Sequence, residues 1–164
     1  MNRTHLLTTM ALFVAVGVVG AQFIWFPAGI AKAYPVQHAV NVIAAIMLGP
    51  IPALIIAFLI GLVRNLLGLG TLLAFPGGMI GALLAGLLYR KFRRKAWAVA
   101  GEIIGTGFIG AWFAVPFAKV VMGTTFAAWF FVPPFLVSSV TGAVLGWFVL
   151  SRVKQDQLVV KVNQ

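Results

Sequence analysis

Ten polar residues interrupt runs that are otherwise apolar: Gln37, His38, Asn41, Arg64, Asn65, Thr71, Glu102, Thr106, Ser138 and Ser139. Their types suit recognition of a small polar molecule. A neutral imidazole at His38 both donates and accepts a hydrogen bond, which fits a polar heterocycle. His38 and Asn41 are three residues apart, so on a helix they share a face. Arg64 and Asn65 add a cation and an amide, while Phe75, Trp129 and Phe130 offer flat faces on which a ligand ring can stack. Each of these has a plainer role as well. Arg64 can snorkel to headgroups, His38 and Asn41 can join helices, and the aromatic residues can belong to an interfacial belt.

Bond-making chemistry lacks its parts. Cysteine is absent, and the two histidines, His5 and His38, are too far apart to form a helical metal pair. No metal and no cofactor is expected. There is no GxSxG, no HExxH and no pair of carboxylates at membrane depth, so the chain does not read as an enzyme. Ser138 or Ser139 with His38 forms no hydrolase site, because no orienting acid is expected on the same side. The glycine-rich stretch 68–78 (GLGTLLAFPGG) lacks the G-K-[ST] ending of a phosphate loop. If the chain takes part in uphill transport, another subunit must hydrolyse the ATP.

The elements that position these residues are membrane helices. The chain has 164 residues, 62% hydrophobic and only 9% charged, more apolar surface than a soluble domain of this size can cover. A net charge of +10 raises the question of nucleic acid, but the placement of the charge answers it. Five basic residues fall in 90–95 (RKFRRK), and Arg152, Lys154 and Lys161 lie in the tail, a pattern of membrane topology with no nucleic-acid partner.

A bilayer core of roughly 30 Å takes about 20 apolar residues per helix. Helix 1 is expected near 6–26, too long and without the cleavage site of a signal peptide. A loop follows over 27–35. Helix 2 starts near Val36 and ends before Gly49, a short span. Gly49-Pro50-Ile51-Pro52 reads as a tight turn, and helix 3 runs near 53–67. Gly68-Leu69-Gly70 breaks the chain, Thr71 is expected to cap helix 4, and that helix runs to about Tyr89. Helix 5 covers 96–121. Helix 6 covers 127–150, with Pro133-Pro134 kinking it early. The expected architecture is one all-α, six-helix membrane domain over 1–152 with a cytoplasmic tail over 153–164. With both termini inside, only Lys32, Arg64 and Lys119 fall outside, as the positive-inside rule favours.

Small residues recur four apart at Gly77/Gly81, Gly101/Gly105 and Gly142/Gly146, spacing that lets helices approach closely in lipid. Ala11/Ala15 on helix 1 has a second reading, a docking face for another membrane protein. In this topology helices 2, 3, 4 and 6 send polar or aromatic groups to the outer half, so a pocket opening outward is expected. It would be capped by loop 27–35 and the loop between helices 5 and 6. Glu102 counts into the inner half and out of the pocket, where it is neutral or paired. Thr106, one turn further out, is the pocket member of that pair.

Four segments together resemble the ThiW family. They are 35–42 (PVQHAVNV) with the following Leu48-Gly49-Pro50, 64–77 (RNLLGLGTLLAFPG), 101–107 (GEIIGTG) and 132–139 (VPPFLVSS). The second glycine of Gly77-Gly78 stands where relatives are expected to carry serine. The resemblance implies a substrate-binding S component of an energy-coupling factor (ECF) transporter in the cell membrane. Its substrate would be the thiamine precursor hydroxyethyl-thiazole; the pyrimidine precursor and thiamine are the alternatives. It further implies six helices, a pocket near the outer face, and docking through helix 1 onto a transmembrane coupling subunit with two ATPase subunits. Ala11 and Ala15 fit that docking role by resemblance. The pocket residues expected from the sequence are Gln37, His38, Asn41, Arg64, Asn65, Thr71, Phe75, Thr106, Trp129 and Ser138. A membrane scaffold protein and a solitary secondary transporter are the competing classes.

Overall fold

The computed structural model describes residues 2–29, 31–123 and 128–153. Helix α1 (Arg3–Phe23) opens the chain, and the Asn2 side chain caps it by accepting from the His5 N–H at 2.9 Å. A short antiparallel hairpin follows, β1 (Phe26–Ala28) against β2 (Ala31–Ala33), with Phe26 opposite Ala33. The stretch expected to be a plain loop is therefore partly ordered by its own backbone ladder. Helix α2 (Pro35–Met47) is short, as expected, with proline in its first turn where no N–H is needed.

Helix α3 (Pro50–Leu66) begins three residues earlier than expected. The chain reverses at Gly49 alone, whose φ of 91° only glycine adopts without strain, and Pro50 and Pro52 then suit a helix start. Gly68, at φ 70°, turns the chain out of α3. Helix α4 (Ala74–Phe92) has Leu73 at its N-cap position and no side-chain cap, so Thr71 does not cap it. The expected fifth helix is continuous but not uniform. It comprises α5 (Lys95–Glu102), a π-helical stretch (Ile103–Gly110) and α6 (Ala111–Met122). Helix α7 (Ala128–Arg152) runs through Pro133 and Pro134. The rest of the loop between α6 and α7, beyond Gly123, and the tail after 153 lie outside the described residues.

Glycines set the spacing of the layers. A Cβ at Gly105 would press on the backbone of Gly81 at 2.6 Å, and one at Gly101 on the backbone of Ala85 and Leu84 at 2.7 Å. These contacts hold α4 against α5 and the π stretch at backbone distance. Gly142 does the same for α7 on α2, where an added Cβ would meet His38 Cβ at 2.6 Å. The pairs Gly77/Gly81, Gly101/Gly105 and Gly142/Gly146 are thus contacts within the bundle.

The core is built of Val42, Ala44, Ala45, Ile56, Ile60, Ala82, Ala85 and Leu150, with a second cluster of Ala111, Ala114, Ala118, Phe131 and Val132. Large apolar side chains also cover the outside, among them Leu12, Phe23, Trp112, Val120 and Trp147. Three helices, Arg3–Phe23, Lys95–Val120 and Ala128–Arg152, are long and apolar enough to cross a membrane, and α2 and α3 are shorter apolar helices. An apolar exterior is stable against lipid and not against water. The chain is an all-α, multi-pass membrane protein with one small hairpin. Arg90, Lys91, Arg93 and Arg94 gather where α4 meets α5, and Lys95 Nζ donates to the Leu150 carbonyl at 2.7 Å. The basic cluster therefore shares one end of the bundle with the C-terminus of α7.

Candidate functional site

At the opposite end, the N-terminal halves of α2, α4 and α7 and the C-terminal end of α3 diverge around a cavity of about 620 Å³. Strand β2 and the following Tyr34 reach its rim through Ala31, Lys32 and Tyr34. The volume lies within the usual range of small-molecule sites, roughly 300–1,000 Å³.

One wall is polar and buried. Arg64 leaves the last turn of α3 and lies almost wholly inside the protein, at 3% exposure. Its Nη1 donates to Gln37 Oε1, its Nη2 donates to the Leu69 carbonyl at 2.9 Å, and its plane stacks 3.9 Å over the Tyr34 ring. Snorkelling to the headgroups is therefore not its role. Gln37 Nε2 lies 3.1 Å from His38 Nε2. On the far side of the ring, His38 Nδ1 is 2.8 Å from Glu102 Oε1. The same carboxylate oxygen accepts from Asn41 Nδ2 at 3.0 Å and from the Thr106 hydroxyl at 3.1 Å. Thr106 Oγ1 also lies 3.1 Å from the Gly77 carbonyl, and Asn41 Nδ2 donates to the Gly78 carbonyl at 3.2 Å. One continuous hydrogen-bonded wall thus runs from α3 through α2 to α4 and the start of the π stretch.

Glu102 is paired and stays out of the cavity lining, in line with the sequence reading. It is fully buried, does not line the cavity, and yet contacts three residues that do. Helix α2, about 20 Å long at 1.5 Å per residue, carries His38 and Asn41 in its first half. Glu102 lies level with them. The carboxylate also meets His38 Nδ1 as an orienting acid meets a catalytic histidine. The expectation that no acid reaches His38 is therefore wrong. The ring's Nε2 faces Gln37, and the Ser138 hydroxyl accepts from the Tyr34 N–H at 2.9 Å. Among the described residues, no group of histidine and acid side chains is arranged to hold a metal.

Gln37, His38, Asn41, Arg64, Asn65, Thr71, Phe75, Thr106 and Ser138 all line the cavity. Asn65 Nδ2 is turned back to the Gly61 carbonyl at 2.8 Å, and Phe75 packs edge-on against Phe58 with 5.4 Å between ring centroids. Trp129 does not line the cavity. It is 68% exposed, and Phe130, Phe131 and Phe135 of the same helix supply the aromatic side. Lys32, Tyr34 and Phe131 were not expected in the cavity. Tyr34 carried the one usable signal, an aromatic residue directly before the proline that opens a helix. Among the described residues, three buried side-chain polar atoms have no hydrogen-bond partner: Asn41 Oδ1, Arg64 Nε and Glu102 Oε2. Unpaired buried polar groups are rare and unfavourable by about 1–3 kcal/mol each.

On α1, Met10, Gly17 and Ala21 are buried against the bundle, whereas Ala11 and Ala15 are exposed beside Leu12, Val16 and Val19. No curated protein and no solved structure matches the chain. A family model described as thiamine-precursor transporter protein (ThiW) matches residues 7–156, and the chain belongs to that family.

Proposed function

We propose that this protein is the membrane-embedded substrate-capture subunit of an ECF-type transporter and that it binds hydroxyethyl-thiazole from outside. In this reading it crosses the membrane six times, with both termini and the basic end of the bundle in the cytoplasm and the cavity open outward. Partner subunits, a transmembrane coupling protein and two ATPases, supply the energy.

One observation carries the reading: a cavity of about 620 Å³ that combines aromatic lining from Phe75, Phe130, Phe131 and Phe135 with a polar wall of Gln37, His38, Asn41, Arg64 and Thr106. A thiazole alcohol has a flat ring for Phe75, Phe131 and Phe135, a hydroxyl that can donate, and a ring nitrogen that can accept. The cavity's charge favours it over cationic thiamine. Arg64 and Lys32 line the space, and among the described residues no acidic side chain does. A fixed positive ligand there would face like charge at low dielectric. The neutral pyrimidine precursor is the stronger rival, since charge does not separate it from the thiazole.

The test is a titration of the purified protein with the thiazole alcohol, thiamine and the pyrimidine precursor, read by tryptophan fluorescence. Saturable tight binding of the thiazole alone is expected. A flat response to it beside tight binding of either other compound would refute the substrate assignment. A scaffold role predicts instead that His38→Ala and Asn41→Ala change stability while no compound binds.

A further inference from the structure

The buried wall assigns its own protons. A guanidinium can only donate, so the atom of Gln37 that meets Arg64 must be the amide oxygen. The Gln37 amide nitrogen then faces His38, and Nε2 of the ring must accept from it. The ring proton is therefore on Nδ1, where it is donated to Glu102 Oε1. Asn41 is fixed in the same way. Its amide nitrogen faces the Gly78 carbonyl, which can only accept, and Glu102 Oε1, which leaves Oδ1 as the free atom. Both assignments end on a single carboxylate oxygen that touches no part of the cavity.

We infer that Glu102 is a positioning residue for the substrate cavity: from behind the wall it holds His38 as the Nδ1–H tautomer and fixes the Asn41 amide with its nitrogen toward the carboxylate. The inference shares with the proposed function the view that this cavity takes the substrate. What Glu102 supplies is the acceptor at Oε1. The other oxygen has no partner and rests where Gly81 leaves room, an added Cβ there falling 2.8 Å from it. An amide in place of the carboxylate keeps the acceptor and puts its NH2 in that space. Leucine keeps the approximate volume in apolar surroundings but removes the acceptor altogether.

The chain has two histidines, and His5 is exposed in the first turn of α1, so ring signals from 15N-labelled histidine separate cleanly. In ligand-free wild type, the His38 ring should show a protonated Nδ1 and a bare Nε2. Glu102→Gln should keep that signature. Glu102→Leu should move the two ring nitrogens toward each other as the ring samples both tautomers. With the thiazole alcohol as probe, Glu102→Gln should bind as wild type does. Glu102→Leu should lose about 10- to 100-fold in affinity, the scale on which partners behind a ligand-bearing histidine act in metal sites. Unchanged ring signals in Glu102→Leu, or a wild-type ring protonated at Nε2, overturn the inference. Wild-type protein that ignores the thiazole while the ring signals behave as stated defeats the substrate assignment and leaves the role of Glu102 standing.

Discussion

Arg64 does more for the cavity than supply a positive charge. Its fork spans two acceptors that face different ways, Gln37 Oε1 and the Leu69 carbonyl, while its plane lies over Tyr34. Lysine reproduces the charge but neither the fork nor the flat face. Arg64→Lys should therefore release Gln37 from its place between Arg64 and His38 without unfolding the helices. Hydrogen bonds to charged groups are worth about 1.5–3 kcal/mol, so a loss of roughly 10-fold or more in ligand affinity is expected from the same fluorescence titration. Affinity equal to wild type would mean that the guanidinium serves only as a charge. At this scale the sequence was most legible where a polar side chain had no reason to be in lipid. Gln37, His38, Asn41, Arg64 and Thr106 stand out for that reason, and all of them reach the cavity. Glu102 lies outside the cavity, as expected, but its partners on α2 stayed hidden, because contact between two helices is not written along either one. Trp129 was misplaced because the facing of the first turn of α7 is set by packing, which the spacing of aromatic residues does not encode.

The helices themselves were readable from the length of the apolar runs and their proline and glycine punctuation. What stayed hidden was set by long-range contact. The hairpin has only three residues per strand, too few for an alternating pattern. The π stretch lies within a run whose composition is that of any apolar helix. Helical position alone places Glu102 and Thr106, four apart, near one another, and the close approach of α4 then decides whether they can reach α2. Gly81 controls that approach. A Cβ on Gly81 would strike the Thr106 hydroxyl and come within 2.8 Å of Glu102 Oε2, whereas a Cβ on Gly78, one turn earlier, meets nothing within 4 Å. Gly81→Ala should therefore push α4 off the π stretch, with destabilisation of about 1–3 kcal/mol and loss of ligand binding. Gly78→Ala should be tolerated, in keeping with the expectation that relatives carry serine there. Thermal unfolding of both variants in the same detergent is the measurement. Equal stability of the two would show that α4 can yield at Gly81 without disturbing the wall.

For the molecule as a whole, the question is which face is left for partners once the bundle has closed on itself. Helix α1 meets the bundle along one stripe, where a Cβ on Gly17 would run into Ile60 and one on Gly20 into Val36. The rest of α1 is turned outward. Ala11 and Ala15 lie there among Leu12, Val16 and Val19, small residues flanked by large ones, a relief into which a second helix can pack. The cavity lies elsewhere, between α2, α3, α4 and α7, so capture and docking can be separated by mutation. Ala11→Trp combined with Ala15→Trp should leave thiazole affinity and thermal stability near wild type. If the chain works in the proposed ECF complex, the same variant should sharply lower ATP-driven uptake and co-purification with the coupling subunit. Gly17→Trp is the contrasting case, because it collides with Ile60 and should destabilise the bundle itself. Full uptake by the double tryptophan variant would remove α1 as the docking helix. Weakened thiazole binding in that variant would instead show that α1 and the cavity are coupled through the bundle.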